Sequence, residues 1–298
     1  MKSSPWPLLA LLALTNCATT TTTTTTAVKP IPPIHSTVTI EDNLEEQQKL
    51  LSTLAKAYPD KFKDVELKDN DWTMTVNGNR FHYAHGRFLP EHLSDKWADY
   101  MPYDFYSYPW AGTEEQRKIL YTSPLYSVGS SFLFDALYNS PTEDDSWDWQ
   151  VKYSFLGVKL LIHSDIKPML DRALDMICDA AKKDPAVSEW IDELQTSPAG
   201  GWNWRSIAAS NRRSNHSYGI AIDLLPRDLR GRRTYWLWNK DDTTVDLKDY
   251  YVPPDAVIRA FEDNGFLWGG KWDLIDTMHF EYRPELLLLN GFTVHHLP

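Results

Sequence analysis

Apolar positions along the chain change period several times, and each change predicts an element. From Asn43 onward, Leu44, Leu51, Leu54, Ala55 and Tyr58 recur at helical spacing as far as Pro59. Asn43 followed three residues later by Glu46 supplies a capping box at the start of this amphipathic helix. The period then falls to two. Trp72, Met74 and Val76 alternate up to Asn77-Gly78, and Phe81 and Tyr83 alternate after it, which predicts a hairpin closed by a two-residue turn. Residues 88–112, rich in Tyr, Trp and Pro, show neither period and are expected to be irregular. A mixed helical stretch follows from Thr113 to Tyr138, and the acidic run Pro141-Thr142-Glu143-Asp144-Asp145 marks a boundary.

In the second half, Gly157 to His163 reads as a strand. Ile166, Met169, Leu170, Ala173, Leu174, Ile177, Cys178 and Ala181 then define a helix that ends before Pro185. Cys178 is assigned to its apolar face and hence to the core. His163, at the strand-to-helix junction, is assigned a structural, hydrogen-bonded role. Pro254 to Asn264 forms a helix closed by Gly265, followed by the strand Phe266-Leu267-Trp268 and a turn at Gly269-Gly270. Met278, Phe280 and Tyr282 alternate with His279, Glu281 and Arg283, a half-buried strand with His279 and Glu281 on one face.

Composition changes the picture mainly at the N-terminus. The 298 residues are 42% hydrophobic, enough for one domain with a substantial core plus an extension. Most of the thirteen Trp and fifteen Tyr are assigned to core and rim. Lys2 followed by the apolar run Trp6 to Leu14 fits an export signal over residues 1–16, too short to span a bilayer. Leu14-Thr15-Asn16-Cys17 resembles a bacterial lipoprotein cleavage box, which implies a lipidated Cys17. Thr19 to Thr26 and the Pro-rich stretch after them lack any apolar period and are read as a tether, so residues 17–42 are a linker. With Cys17 acylated, Cys178 has no partner for an internal disulfide. Loss of residues 1–16 removes one basic residue from 30, against 41 acidic ones, and leaves a charge of -12. That balance argues against a nucleic-acid partner.

Two segments carry the candidate chemistry: Ser214-Asn215-His216-Ser217-Tyr218-Gly219-Ile220-Ala221-Ile222-Asp223, and Asp276-Thr277-Met278-His279-Phe280-Glu281. Two imidazoles and a carboxylate are a zinc ligand set that leaves a fourth position open, as a hydrolase requires. His216 and Asp223 are seven apart and on an unbroken strand would face opposite ways, so a turn at Gly219 is needed to bring His216 back over the strand end. Glu281 is placed to orient a ligand.

The pattern Ser-x-His-x-x-Gly-x-Ala-x-Asp followed by Asp-x-x-His resembles the zinc peptidases of the D-alanyl-D-alanine carboxypeptidase and L-alanyl-D-glutamate endopeptidase family, VanY-like enzymes that cut peptidoglycan stem peptides. The resemblance runs from about Phe155 to the C-terminus. It implies His216, Asp223 and His279 as zinc ligands and Asp276 as the general base that takes a proton from a zinc-activated water. It also implies an upstream Arg that contacts substrate and the developing oxyanion. Arg205 is preferred for this and Arg212 is the alternative. The basic loop Asp228 to Arg233 is read as solvated.

The expected architecture is α+β: a small antiparallel sheet carrying the zinc site with helices packed on one side, over residues 146–298, preceded by an α+β extension over 43–145. The expected function is zinc-dependent hydrolysis of peptidoglycan stem peptides, of D,D-carboxypeptidase or endopeptidase type, by a monomer lipid-anchored in the bacterial envelope. A zinc-bearing wall-binding module without turnover is the alternative, and Asp276 speaks against it because binding needs no base. A zinc amidohydrolase of non-wall peptides is a third reading.

Overall fold

A computed structural model describes residues 43–103, 105–122, 130–196, 200–207, 212–239, 246–295 and 297. The expected export segment, Cys17 and the expected threonine tether lie outside these residues. Helix α1, Leu44–Ala57, starts where expected: the Asn43 side chain accepts the Glu45 amide at 3.0 Å, and Leu50, Leu51, Leu54 and Ala57 are buried. Strands β1 (Phe62–Lys68), β2 (Asp71–Val76), β3 (Asn79–Ala84) and β4 (Arg87–Pro90) form an antiparallel meander. Asn77 and Gly78 have φ of 47° and 85°, the pair of left-handed residues that a type I′ hairpin requires.

The fourth strand corrects the expectation that the chain is irregular from residue 88. His85 and Gly86 form a second turn of the same kind, with φ of 48° and 81°, and it pairs Phe88 with Tyr83. Only four residues long and ended by Pro90, this strand is too short to show a period. A 3₁₀ segment, Glu91–Asp99, follows it. Helices α2 (Glu114–Thr122), α3 (Phe132–Leu137) and α4 (Glu143–Trp147) come next.

Strands β5 (Gln150–Phe155) and β6 (Val158–His163) make a hairpin that leads into helices α5 (Lys167–Ala181) and α6 (Pro185–Glu193). Helix α5 buries Met169, Leu170, Ala173 and Ile177. Cys178, expected in the core, is exposed. Its position one residue beyond Ile177 turns it about 100° around the helix, onto the rim of a stripe narrower than the sequence suggested. His163 is buried as expected, with Nε2 3.2 Å from the Tyr138 carbonyl and Nδ1 accepting the Asp165 amide at 3.2 Å.

A third sheet carries the candidate site. Strand β7 (Ala221–Asp223), helix α7 (Asp255–Glu262), strands β8 (Phe266–Trp268) and β9 (His279–Tyr282) and helix α8 (Pro284–Leu289) complete the chain. The sheet order is β7-β9-β8, antiparallel throughout, with Asp223 opposite His279. Phe280 stacks on Phe261 of α7 at 3.9 Å between ring centroids, which fastens the helical layer to one face. Strand β9 is buried on both faces, where the alternation predicted one: besides Phe280 and Tyr282, His279 and Glu281 are at most 7% exposed. What covers that second face comes partly from far upstream. A single hydrophobic core contains Leu51, Phe62 and Phe88 together with Phe155, Phe261, Phe280 and Leu287, so it draws on both sides of residue 145. Helix α1 packs against α8, and the Tyr58 hydroxyl donates to Glu285 at 2.6 Å. Among the described residues, no helix is long and apolar enough to cross a membrane.

Candidate metal centre

His216 sits on a 3₁₀ turn, Asn215–Tyr218, that starts at Ser214 and ends at Gly219. Gly219 is left-handed, with φ of 71°. A side chain there would collide with Gln150 Oε1 and the His163 amide, so both conformation and space require glycine. This turn reverses the chain into β7 and lays the His216 imidazole beside Asp223. The parity conflict between the two is removed at the residue the sequence indicated.

Three side chains converge. His216 Nε2 lies 3.2 Å from His279 Nδ1 and 3.3 Å from Asp223 Oδ1, and His279 Nδ1 lies 3.0 Å from the same carboxylate oxygen. The remaining ring nitrogens are committed elsewhere. His216 Nδ1 is 2.8 Å from the Gly201 carbonyl, and His279 Nε2 is 3.1 Å from Glu281 Oε2. Each acceptor calls for an N–H, which leaves His216 Nε2 and His279 Nδ1 as the nitrogens that face Asp223, open to a metal ion or, without one, to a proton. Three electron-pair donors facing one point are a socket for a cation, and the cluster can hold a metal ion.

Electrostatics agree with that chemistry. Burial disfavours charge on His279, but Asp223 and Glu281 outweigh it and hold the imidazole up at about 10, so the surroundings demand positive charge here. Burial likewise opposes ionisation of Asp223, yet the two histidines hold its carboxyl far below the usual range.

Asp276 lies just before β9. Its carbonyl accepts the His279 amide at 3.3 Å, and its own position is fixed by a bridge to Tyr235. The chain has not yet entered strand geometry here, which lets a residue of the wrong parity approach the site. Its carboxyl is pushed up to about 8, chiefly by burial and further by the Asp223 charge, while His279, the Met278 amide and Arg205 pull the other way. Oδ1 of Asp276 is buried without a protein partner. A buried oxygen with no donor, beside a cation socket, suits a water or substrate proton.

Arg205 is anchored through its backbone: its amide donates to Ser217 Oγ at 2.9 Å, and its carbonyl accepts the Ser214 amide at 3.0 Å. The side chain is exposed, and its charge acts on Asp276 and Tyr235. The charge of Arg212 acts instead on Tyr103. Arg213 pairs with Asp135 and lies over the Trp204 ring.

Three contributors to the site were missed in the sequence: the Gly201 carbonyl, Asn215 and Tyr106. Asn215 adjoins a ligand and offers an amide, a signal that was available. Gly200 and Gly201 belong to no recognisable motif, although a side chain at Gly200 would meet Asp223 Cβ at 2.5 Å. Tyr106 donates to Glu281 at 3.3 Å across 175 residues of sequence, and no local pattern announces that contact.

The family model described as D-alanyl-D-alanine carboxypeptidase matches residues 208–282, a stretch containing His216, Asp223, Asp276 and His279. The match supports a peptidase of that zinc-peptidase superfamily. A second family model, a domain of unknown function, matches residues 50–105, from within α1 to the chain beyond the meander. No solved structure matches the chain significantly.

Proposed function

We propose that the protein is a zinc-dependent peptidase of peptidoglycan stem peptides, with His216, Asp223 and His279 as the ligands. The observation that carries this reading is the pairing of three convergent lone-pair donors with a buried, unpartnered carboxylate oxygen on Asp276. Zinc, when bound, supplies Lewis-acid activation of water and of a peptide carbonyl. Asp276 takes the proton of the attacking water and returns it to the departing amine. Arg205, whose charge acts on Asp276, is assigned to steady the developing oxyanion. Glu281 keeps the His279 ring in register by holding Nε2–H.

Substrate class follows from the family match together with the N-terminal sequence. An export signal, a lipidated Cys17 and a tether would hold the domain in the bacterial envelope, where wall peptides are the accessible amides. Cleavage of terminal D-Ala-D-Ala and cleavage within the stem are both compatible with this site. The domain is proposed to act as a monomer, without a nucleic-acid partner. Mass spectrometry of purified muropeptides incubated with the protein, with and without a chelator, tests the reading. Loss of a D-alanine or of a stem fragment, abolished by the chelator, is expected; muropeptides left intact by a zinc-loaded protein would refute it.

A further inference from the structure

Residues 105–110, together with Tyr103, form a strap that crosses the third sheet from the end of β9 to the turn after β8. Its contacts step along the sheet in order. The Tyr103 ring packs 5.8 Å from the Arg283 guanidinium. The Tyr106 hydroxyl donates to Glu281 Oε1 at 3.3 Å. The Tyr108 hydroxyl donates to Glu262 Oε1 at 2.5 Å and accepts the Trp268 amide at 2.9 Å. The Trp110 amide donates to the Lys271 carbonyl at 2.9 Å. Asn290 holds the strap from the other side, its amide donating to the Tyr106 carbonyl at 3.1 Å.

The contact at Glu281 matters most. Its two oxygens are divided between neighbours: Oε2 takes Asn215 Nδ2 at 2.7 Å and His279 Nε2 at 3.1 Å, while Oε1 takes Tyr106 and faces Arg283 Nη1 at 3.7 Å. A carboxylate pivots about its Cγ bond unless both oxygens are held. If it pivots, the N–H acceptor of His279 moves and the ring can turn with it. Tyr106 closes that freedom from a segment that begins outside the match to the peptidase family.

We propose that Tyr106 is a positioning residue of the metal centre: through Glu281 it fixes the His279 ring, so that the N-terminal half of the chain sets the affinity and ligand field of the site. The proposal rests on the metal-site reading above. It gives residues 43–145 a role inside the centre, distinct from that of a separate recognition module.

Tyr106→Phe in the full chain removes one hydroxyl and keeps the ring. Zinc affinity is measured by competition with a chromogenic chelator, and the visible d–d spectrum is recorded after loading with Co²⁺. Loss of an outer-shell partner weakens metal affinity by about 10- to 100-fold, and a single neutral hydrogen bond is expected at the lower end. The Co²⁺ bands should shift, which a merely structural role would not cause. Tyr153→Phe, which removes a hydroxyl bonded to Asp171 on α5, is the control and should match wild type in both. Wild-type affinity and spectrum in Tyr106→Phe would overturn the proposal, as would equal losses in Tyr153→Phe. Wild type that takes up no metal would instead refute the metal-site reading, and this inference with it.

Discussion

His216 Nε2 and His279 Nδ1 face each other across 3.2 Å, and each ring's opposite nitrogen is held by an acceptor. Two lone pairs that close repel unless positive charge lies between them and Asp223. The first prediction follows directly. Purified protein should bind one zinc ion per chain, and His216→Ala and His279→Ala should each abolish tight binding in elemental analysis. Because the ion binds only the folded state, saturation at 100 times its dissociation constant should add about 2.7 kcal/mol of stability. A melting temperature indifferent to chelator would contradict this.

The second prediction separates the two arginines. Arg205→Ala should lower turnover by roughly 10²-fold, the scale of losing one oxyanion donor, with zinc content unchanged. Arg212→Ala, whose charge acts on Tyr103, should cost far less. Steady-state kinetics on a stem peptide decide the matter, and the reverse ranking would move the role to Arg212.

The third concerns His163, held neutral in the fold. Burial lowers its pKa to about 4, with Lys61 acting in the same direction and Asp165 and the Tyr138 carbonyl opposing. The unfolded chain binds this proton below about 6.5 and the folded chain only below about 4. Stability from His163 is therefore fully present above pH 6.5 and is lost as pH falls to 4. It amounts to on the order of 3 kcal/mol. Urea unfolding across that range should show a shallower decline in His163→Gln than in wild type. Equal slopes would show that the imidazole does not titrate with folding.

How much of this was legible beforehand varied with distance along the chain. The convergence of His216, Asp223 and His279 is legible because their spacing and the turn glycine are local features, whereas the role of Asp276 rests on the family resemblance. The Asn77-Gly78 hairpin and the Asn43 cap are local features too. Strand β4 was not found, since four residues carry no period. Cys178 was misplaced because periodicity locates a stripe but not its width. Strand β9 read as half-buried because its alternation is real, while its second cover is supplied by Tyr106 and Asn215, neither of which the strand's own sequence can reveal.

A fourth prediction addresses export. If Cys17 carries the lipid proposed above, Cys17→Ser should release the protein from the membrane fraction into the soluble envelope fraction, since stable anchoring requires more than one acyl chain and all would be lost with the thiol. Wild type already soluble would contradict the lipidated tether.

The most direct test of the central claim pairs two measurements on Asp276→Ala: zinc content and hydrolysis of a stem peptide. Asp276 is a base beside the metal and not a ligand in this account. The variant should keep one zinc per chain and lose about 10²- to 10⁴-fold in turnover, toward the upper end because the same carboxyl serves attack and departure. Loss of zinc together with activity would make Asp276 a ligand. Full zinc with undiminished hydrolysis would remove it from the mechanism and contradict the account.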